Sequence, residues 1–197
     1  NIPLALVTEN LRRIVDAVDL PVSSDIEGGY GVEPELVAKT VREVVQAGAV
    51  GFNFEDQIVG GEGLHAVGLQ ATRIEAAREA ADQVVSDVYI NARTDIFLKA
   101  KPETHSDAML DDALERAAAF AKAGGDGFFA PGLADAMLIK RLCAQCPLPV
   151  NIIALPHVPD AATLADCGVA RISHGPVPYR KMAAWLEEQA RAAINYR

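Results

Sequence analysis

The sequence predicts an α/β barrel of eight parallel strands, of which this chain supplies six, and three observations lead there. Apolar strand-like runs and amphipathic helical stretches alternate almost monotonously, at roughly 20–40-residue spacing. Three junctions repeat one pattern, in which a glycine ends a helix just before an apolar run: Gln46-Ala47-Gly48, Lys122-Ala123-Gly124 and Asp166-Cys167-Gly168. Acidic and polar side chains gather where the runs end, the face of a parallel barrel that carries chemistry.

In chain order, a helix from Ile2 to Val18 leads to a first strand near Leu20. A helix from Pro34 to Ala47, with proline in its first turn, precedes a strand near Val50. Helices over Gln70–Val84, Asp107–Ala123, Ala134–Cys143 and Ala161–Asp166 then precede strands near Val88, Gly127, Pro149 and Arg171. A last helix runs from about Pro178 to Ala193. The strands read as apolar throughout rather than alternating, as in a sheet covered on both faces. A full barrel needs about 200–250 residues and eight strands. The expectation is therefore strands three to eight in one domain over residues 1–197, with the first two βα units absent and two exposed edges. A doubly wound open sheet is the alternative, but neither Gly-x-Gly-x-x-Gly after the first strand nor a P-loop is present.

Composition narrows the function. The chain is 50% hydrophobic and 23% charged, ordinary for a globular domain with a substantial core. A net charge of −9 argues against a nucleic-acid or anionic-membrane partner. No apolar run approaches the ~20 residues of a membrane span and no signal peptide is visible, so the expected location is the cytoplasm. Cys143 and Cys146 close a helix instead of opening one, which reads as plain reduced thiols, Cys167 with them. None of the six lysines lies in a strand run, which disfavours a Schiff-base aldolase, and no histidine cluster suggests zinc.

The chemistry lies in Ser24-Asp25-Ile26-Glu27-Gly28-Gly29-Tyr30-Gly31 and Phe52-Asn53-Phe54-Glu55-Asp56. Asp25 and Glu27, two apart on a strand, share a face, and Glu55 reaches the same end of the next strand. Three convergent carboxylates repel unless a proton or a hard cation compensates them, and oxygen ligands of this kind suit Mg²⁺ or Mn²⁺. Helix capping does not explain Asp25 and Glu27, because the next helix starts only at Glu33-Pro34. The loop Gln57–His65, with three glycines, is long for a βα connection and reads as a lid, with a disordered surface loop as the plain alternative. His65 reads as a solvated loop histidine, with a proton donor as the alternative. In Asn91-Ala92-Arg93-Thr94-Asp95 a strand-end guanidinium suits a substrate carboxylate or phosphonate, or an internal ion pair with Glu55. Asn151 needs partners inside a buried strand and, with Asn53, is a candidate substrate contact. Ser173 and His174 read as structural.

At these residues the sequence resembles the isocitrate lyase and phosphoenolpyruvate mutase superfamily. Asp25-Ile26-Glu27-Gly28-Gly29-Tyr30-Gly31 is similar to its Asp-x-Asp/Glu-x-Gly-Tyr/Phe-Gly motif, Phe54-Glu55-Asp56-Gln57 to its second acidic motif, and Ala92-Arg93-Thr94-Asp95 to its Ala-Arg-Thr-Asp motif. The resemblance implies a Mg²⁺-dependent lyase or mutase that makes or breaks a C–C or P–C bond of a small α-oxo acid through a metal-stabilised enolate. Asp25, Glu27 and Glu55 would form the metal shell, partly through water, Arg93 would hold the substrate's acid group, and Asn151 would line the pocket. It also implies a homo-oligomer, often with the last helix exchanged between neighbours. Tyr179 to Ile194, apolar at Met182, Trp185 and Leu186, would then pack on another subunit, although a helix covering its own barrel would show the same spacing. Two departures matter. The lid lacks both the cysteine that acts as an acid in the isocitrate and methylisocitrate lyases and the mutase's Lys and Asn-Ser pair, and Pro131 stands where all those branches place a Glu or His. The chain thus best resembles the mutase-like branch; isocitrate cleavage is not expected, and a catalytically silent or ligand-binding member is the rival reading.

Overall fold

The two-residue period of the strands divides this molecule into an apolar and a polar side. The computed structural model describes residues 2–195. Its elements are α1 (Leu4–Ala17), β1 (Ser23–Asp25), α2 (Pro34–Gln46), β2 (Gly51–Glu55), α3 (Val67–Asp82), β3 (Tyr89–Arg93), a short 3₁₀ turn (Pro102–Thr104), α4 (Asp107–Lys122), β4 (Gly127–Phe129), α5 (Ala136–Gln145), β5 (Val150–Ile153), α6 (Ala161–Asp166), β6 (Arg171–Ser173) and α7 (Val177–Ile194). The six strands form one parallel sheet in chain order. Sequential order is the order of a (β/α) barrel arc; a doubly wound sheet reverses direction at a switch point. Among the described residues β1 pairs only with β2 and β6 only with β5.

On the helix-facing side of the sheet Phe52, Phe54, Ile90, Ala92, Phe128, Val150 and Ile152 are all at most 3% exposed. They meet apolar stripes at helical spacing: Val37, Val41 and Val44 on α2, Ile74, Ala77 and Ala81 on α3, Leu110, Ala113, Ala117 and Phe120 on α4. The other side is different. Register neighbours share a face, and two rows read across it: Asp25, Asn53, Asn91, Gly127, and Glu55, Arg93, Phe129, Asn151, Arg171. The expectation of strands apolar on both faces is therefore corrected: only the helix-facing side is apolar. β1 holds Ser23, Ser24 and Asp25 with no apolar residue at all, as an edge position allows.

Gly48, Gly124 and Gly168 follow the helix ends with φ of +101°, +97° and +92°, the left-handed turn that the sequence pattern required. Ser106, Asp135 and Asp160 cap α4, α5 and α6 from their side chains. The Asp135 cap explains why α5 starts at Ala136 rather than Ala134, and α3 begins three residues before Gln70. α7 buries none of its side chains, so it does not cover this chain's own sheet. Among the described residues, no helix is long and apolar enough to cross a membrane.

Candidate active site

The C-terminal ends of β1, β2 and β3 bring Asp25, Glu27, Glu55 and Arg93 to one cleft of about 470 Å³, completed by Gln57 and Val59. Glu55 ends β2 almost fully buried; its Oε2 lies 2.8 Å from Arg93 Nη1, and its Oε1 accepts from Gln57 Nε2 at 2.7 Å. Burial pushes its carboxyl above the ordinary range, an effect that Arg93 and Gln57 reduce without cancelling. Asp25 is half exposed, with Oδ2 3.6 Å from the same Arg93 nitrogen. Its Oδ1 accepts from Glu27 N at 2.9 Å, which bends the chain straight after the strand. Glu27 and Tyr30 have φ of +48° and +60°, left-handed positions that cost a non-glycine residue on the order of 1 kcal/mol or more each. Such strain persists only where the surroundings hold it.

Arg93 is itself held. Nε and Nη2 donate to the two oxygens of buried Asp95 at 2.6 and 3.0 Å, a bidentate pair, and the Phe129 ring lies 5.9 Å from the guanidinium. Arg93 thus makes the internal ion pair with Glu55 that the sequence left open. Asp95, part of the quoted motif, was given no role from sequence. Asp56 was also missed: it accepts from Thr94 Oγ1 at 2.7 Å, Asp95 N at 3.0 Å and Arg116 Nη1 at 3.1 Å, tying β2, β3 and α4 together.

His65 is corrected from solvated to buried, at 7% exposure. Its N–H donates to Asp56 O, its carbonyl accepts from Arg116 Nη1, and burial, followed by the charge of Arg73, holds its imidazole below the usual value. The Gln57–His65 loop is an ordered turn: Gln57 and Leu64 form an antiparallel bridge, and Ile58 N donates to Gly63 O. Its Val59 rests on the acidic turn, and a Cβ built on Gly28 would lie 2.8 Å from Val59 Cγ2.

The two amides lie deeper. Asn53 Oδ1 accepts from Asn91 Nδ2 at 2.8 Å, and both line a second cavity of about 400 Å³ toward the strand N-termini. Asn151 is 2% exposed with neither amide atom hydrogen-bonded, in the same row as Arg93. Neither lines the acid cleft. Pro131 is buried just beyond β4 and brings no titratable group to that end.

The acids do not make a closed cation cage: among the described residues no three Asp, Glu, His or Cys side chains are gathered tightly enough to hold an ion directly. The guanidinium of Arg93 stands beside both Asp25 and Glu55 and supplies compensating charge that the sequence reading assigned to a cation. The donor chemistry nonetheless fits hydrated Mg²⁺, which prefers carboxylate oxygens and keeps several waters. At ~30 Å³ per water, a hexahydrated ion needs on the order of 200 Å³, which the cleft accommodates.

The sequence model of the phosphoenolpyruvate phosphomutase family matches residues 1–194. The chain belongs to this family. A solved structure provisionally named a phosphonomutase, from Burkholderia cenocepacia J2315, superposes with a TM-score of 0.95 at 49% identity, covering 98% of this chain and 77% of the other. An uncharacterized protein of Mycobacterium tuberculosis is 36% identical over 87% of this chain and 60% of its own length. The 2-methylisocitrate lyase of Escherichia coli K12 is 29% identical over 74% of this chain and 49% of the enzyme, and an oxaloacetate decarboxylase of Bradyrhizobium is 28% identical over 93% and 63%. This phosphomutase-family chain therefore spans between about half and two thirds of the length of these curated relatives.

Proposed function

We propose that the chain carries the metal-binding and substrate-orienting part of a Mg²⁺- or Mn²⁺-dependent lyase or phosphonomutase, acting in the cytoplasm on a C–C or P–C bond of a small α-oxo acid or its precursor. The observation that carries this reading is the convergence of Asp25, Glu27, Glu55 and Arg93 on one cleft at the C-terminal ends of adjacent strands. Asp25, Glu27 and Glu55 would hold the ion, largely through water. When bound, it supplies a Lewis acid for negative charge developing on the α-oxo oxygen. Arg93, fixed along one edge by Asp95, offers Nη1 between Asp25 and Glu55, where a substrate carboxylate or phosphonate would compete for it. Asn53 and Asn151 lie outside the cleft, and they would touch only a ligand that extends from it along the polar face of the sheet. With no cysteine in Gln57–His65 and proline at 131, oxaloacetate, a substituted malate or a phosphonate fits better than isocitrate. The largely exposed α7, with Tyr179, Met182, Trp185 and Leu186 all facing water, favours a homo-oligomer in which this helix packs on a neighbour.

The decisive experiment is a screen of α-oxo and β-hydroxy diacids on the intact protein with Mg²⁺, following pyruvate or glyoxylate release. Turnover that is lost in Asp25→Ala supports the reading; turnover of isocitrate at ordinary enzyme rates refutes its substrate class. One observation favours the rival, a silent ligand-binding member: Asp95 and Glu55 already engage most of the Arg93 donors. Oxalate, an enolate mimic, separates the two. An active site should bind it only with Mg²⁺; a silent one should show no metal-dependent rise in melting temperature.

A further inference from the structure

Arg73 of α3 is fully buried, and among the described residues no carboxylate pairs with it. Its Nη2 donates to Gly28 O at 2.5 Å and to Gly31 O at 2.9 Å, the two ends of the turn that follows Asp25 and Glu27. Its Nη1 donates to Gln70 Oε1. Gln70, one helical turn earlier and equally buried, donates from Nε2 to the backbone carbonyl of Glu55 at 3.2 Å. The Phe54 ring lies 4.9 Å from the guanidinium.

Burying a cation without an anion is costly unless its donors are well used; Nη1 and Nη2 are engaged here, while the buried Nε has no partner among the described residues. The Nη2 acceptors are carbonyls of the turn that follows the acids, and that turn contains the left-handed Tyr30 and directly follows the left-handed Glu27. Burial lowers the Arg73 pKa to about 10, so it still carries its charge at neutral pH. Arg78, also on α3, is the ordinary case: it holds Gly124 O and Val88 O but pairs with Asp126 and Asp82.

We infer that Gln70 and Arg73 are positioning residues, a strut from α3 that joins the Glu55 backbone to the Gly28–Gly31 turn and fixes the spacing of Glu55 from Asp25 and Glu27. The inference rests on the cation reading of those acids, and two readouts keep the two separable. In the intact protein, Arg73→Met, Arg73→Lys and Gln70→Leu are compared with wild type for Mn²⁺ affinity by calorimetry and for amide exchange over residues 25–31. Arg78→Met serves as the control for losing a partly buried, carbonyl-binding arginine elsewhere on the helix. Mn²⁺ affinity should fall by about 10–100-fold in Arg73→Met and Gln70→Leu, as for other groups that support metal ligands from behind. It should partly recover in Arg73→Lys. Exchange over 25–31 should quicken in both breaking variants, and Arg78→Met should change neither readout while losing stability. Should Arg73→Met not fold, Arg73→Lys and Gln70→Leu carry the test. Wild-type affinity and wild-type exchange in those folded variants overturn the strut. If wild type takes up no Mn²⁺, the cation reading fails by itself, and exchange over 25–31 alone decides the strut.

Discussion

The two faces of the sheet obey different rules. Toward the helices, Phe52, Phe54, Ile90 and Phe128 interlock with alanine- and valine-rich stripes, and the buried polar pair Gln70 and Arg73 enters only at the Phe54 end. Across the same strands, one residue out of phase, stand Asp25, Asn53, Glu55, Asn91, Arg93 and Asn151, with Asn91 Oδ1 and both amide atoms of Asn151 unpaired. A face built for stability would not keep buried amides without partners. The comparison teaches that the helix-facing side fixes the architecture, while the other side gives up stability for placed polar groups.

Substitutions on each face can break or sharpen this contrast. Phe128→Ala, on the helix-facing side, should cost about 3–5 kcal/mol by denaturant unfolding, yet leave Mn²⁺ affinity per folded molecule unchanged. Asp25→Asn should do the reverse, weakening Mn²⁺ at least about tenfold, or ~1.4 kcal/mol, with little change in unfolding midpoint because the side chain is half exposed. A Phe128 variant that loses metal affinity while folded, or an Asp25 variant that merely unfolds, would erase the distinction. Asn151→Leu replaces two unpaired buried amide atoms by methyl groups on the same branched frame and should stabilise the protein by about 1 kcal/mol, measured by urea titration. Destabilisation there would mean that the amide has partners in the folded protein.

The smallest effect concerns acid. Because burial and then Arg73 lower the His65 pKa below its ordinary value of 6.5, the unfolded chain binds more protons than the native one just below that pH. Stability should therefore decline as pH falls through about 6.5, and His65→Gln should flatten that part of the curve in a pH series of melting temperatures. An unchanged slope would show that the imidazole titrates in water.

Much of the architecture was legible because it is local. The glycines at 48, 124 and 168 announce three helix ends by backbone conformation alone, and Pro34 announces a start. The acid-bearing strand ends were legible because charge breaks an apolar run. The inward amides were harder to see: a single Asn among Val and Ile does not disturb an apolar impression, and only period-2 counting separates the faces. Arg73 and Gln70 were missed because charged and amide residues on helices ordinarily face water. A signal existed, since continuing the Ile74, Ala77, Ala81 stripe backward lands on Gln70 and Arg73. His65 was misjudged because it ends a loop with exposed Gly60, Gly61 and Gly63, while its backbone is held by Asp56 and Arg116, the latter distant in the chain.

Val59 occupies the space that a side chain at Gly28 would need, so the seating of the β2–α3 loop depends on a missing side chain. Space that one methyl group would fill is occupied by a valine from another segment, so position 28 acts as a spacer adjustable in steps of one carbon. Alanine there would set a methyl 2.8 Å from Val59 Cγ2, so Val59 or the loop that carries it must move aside while every acid keeps its identity. The seating of the loop is thus a quantity that selection or an engineer can tune at one codon, separately from the chemistry beneath it.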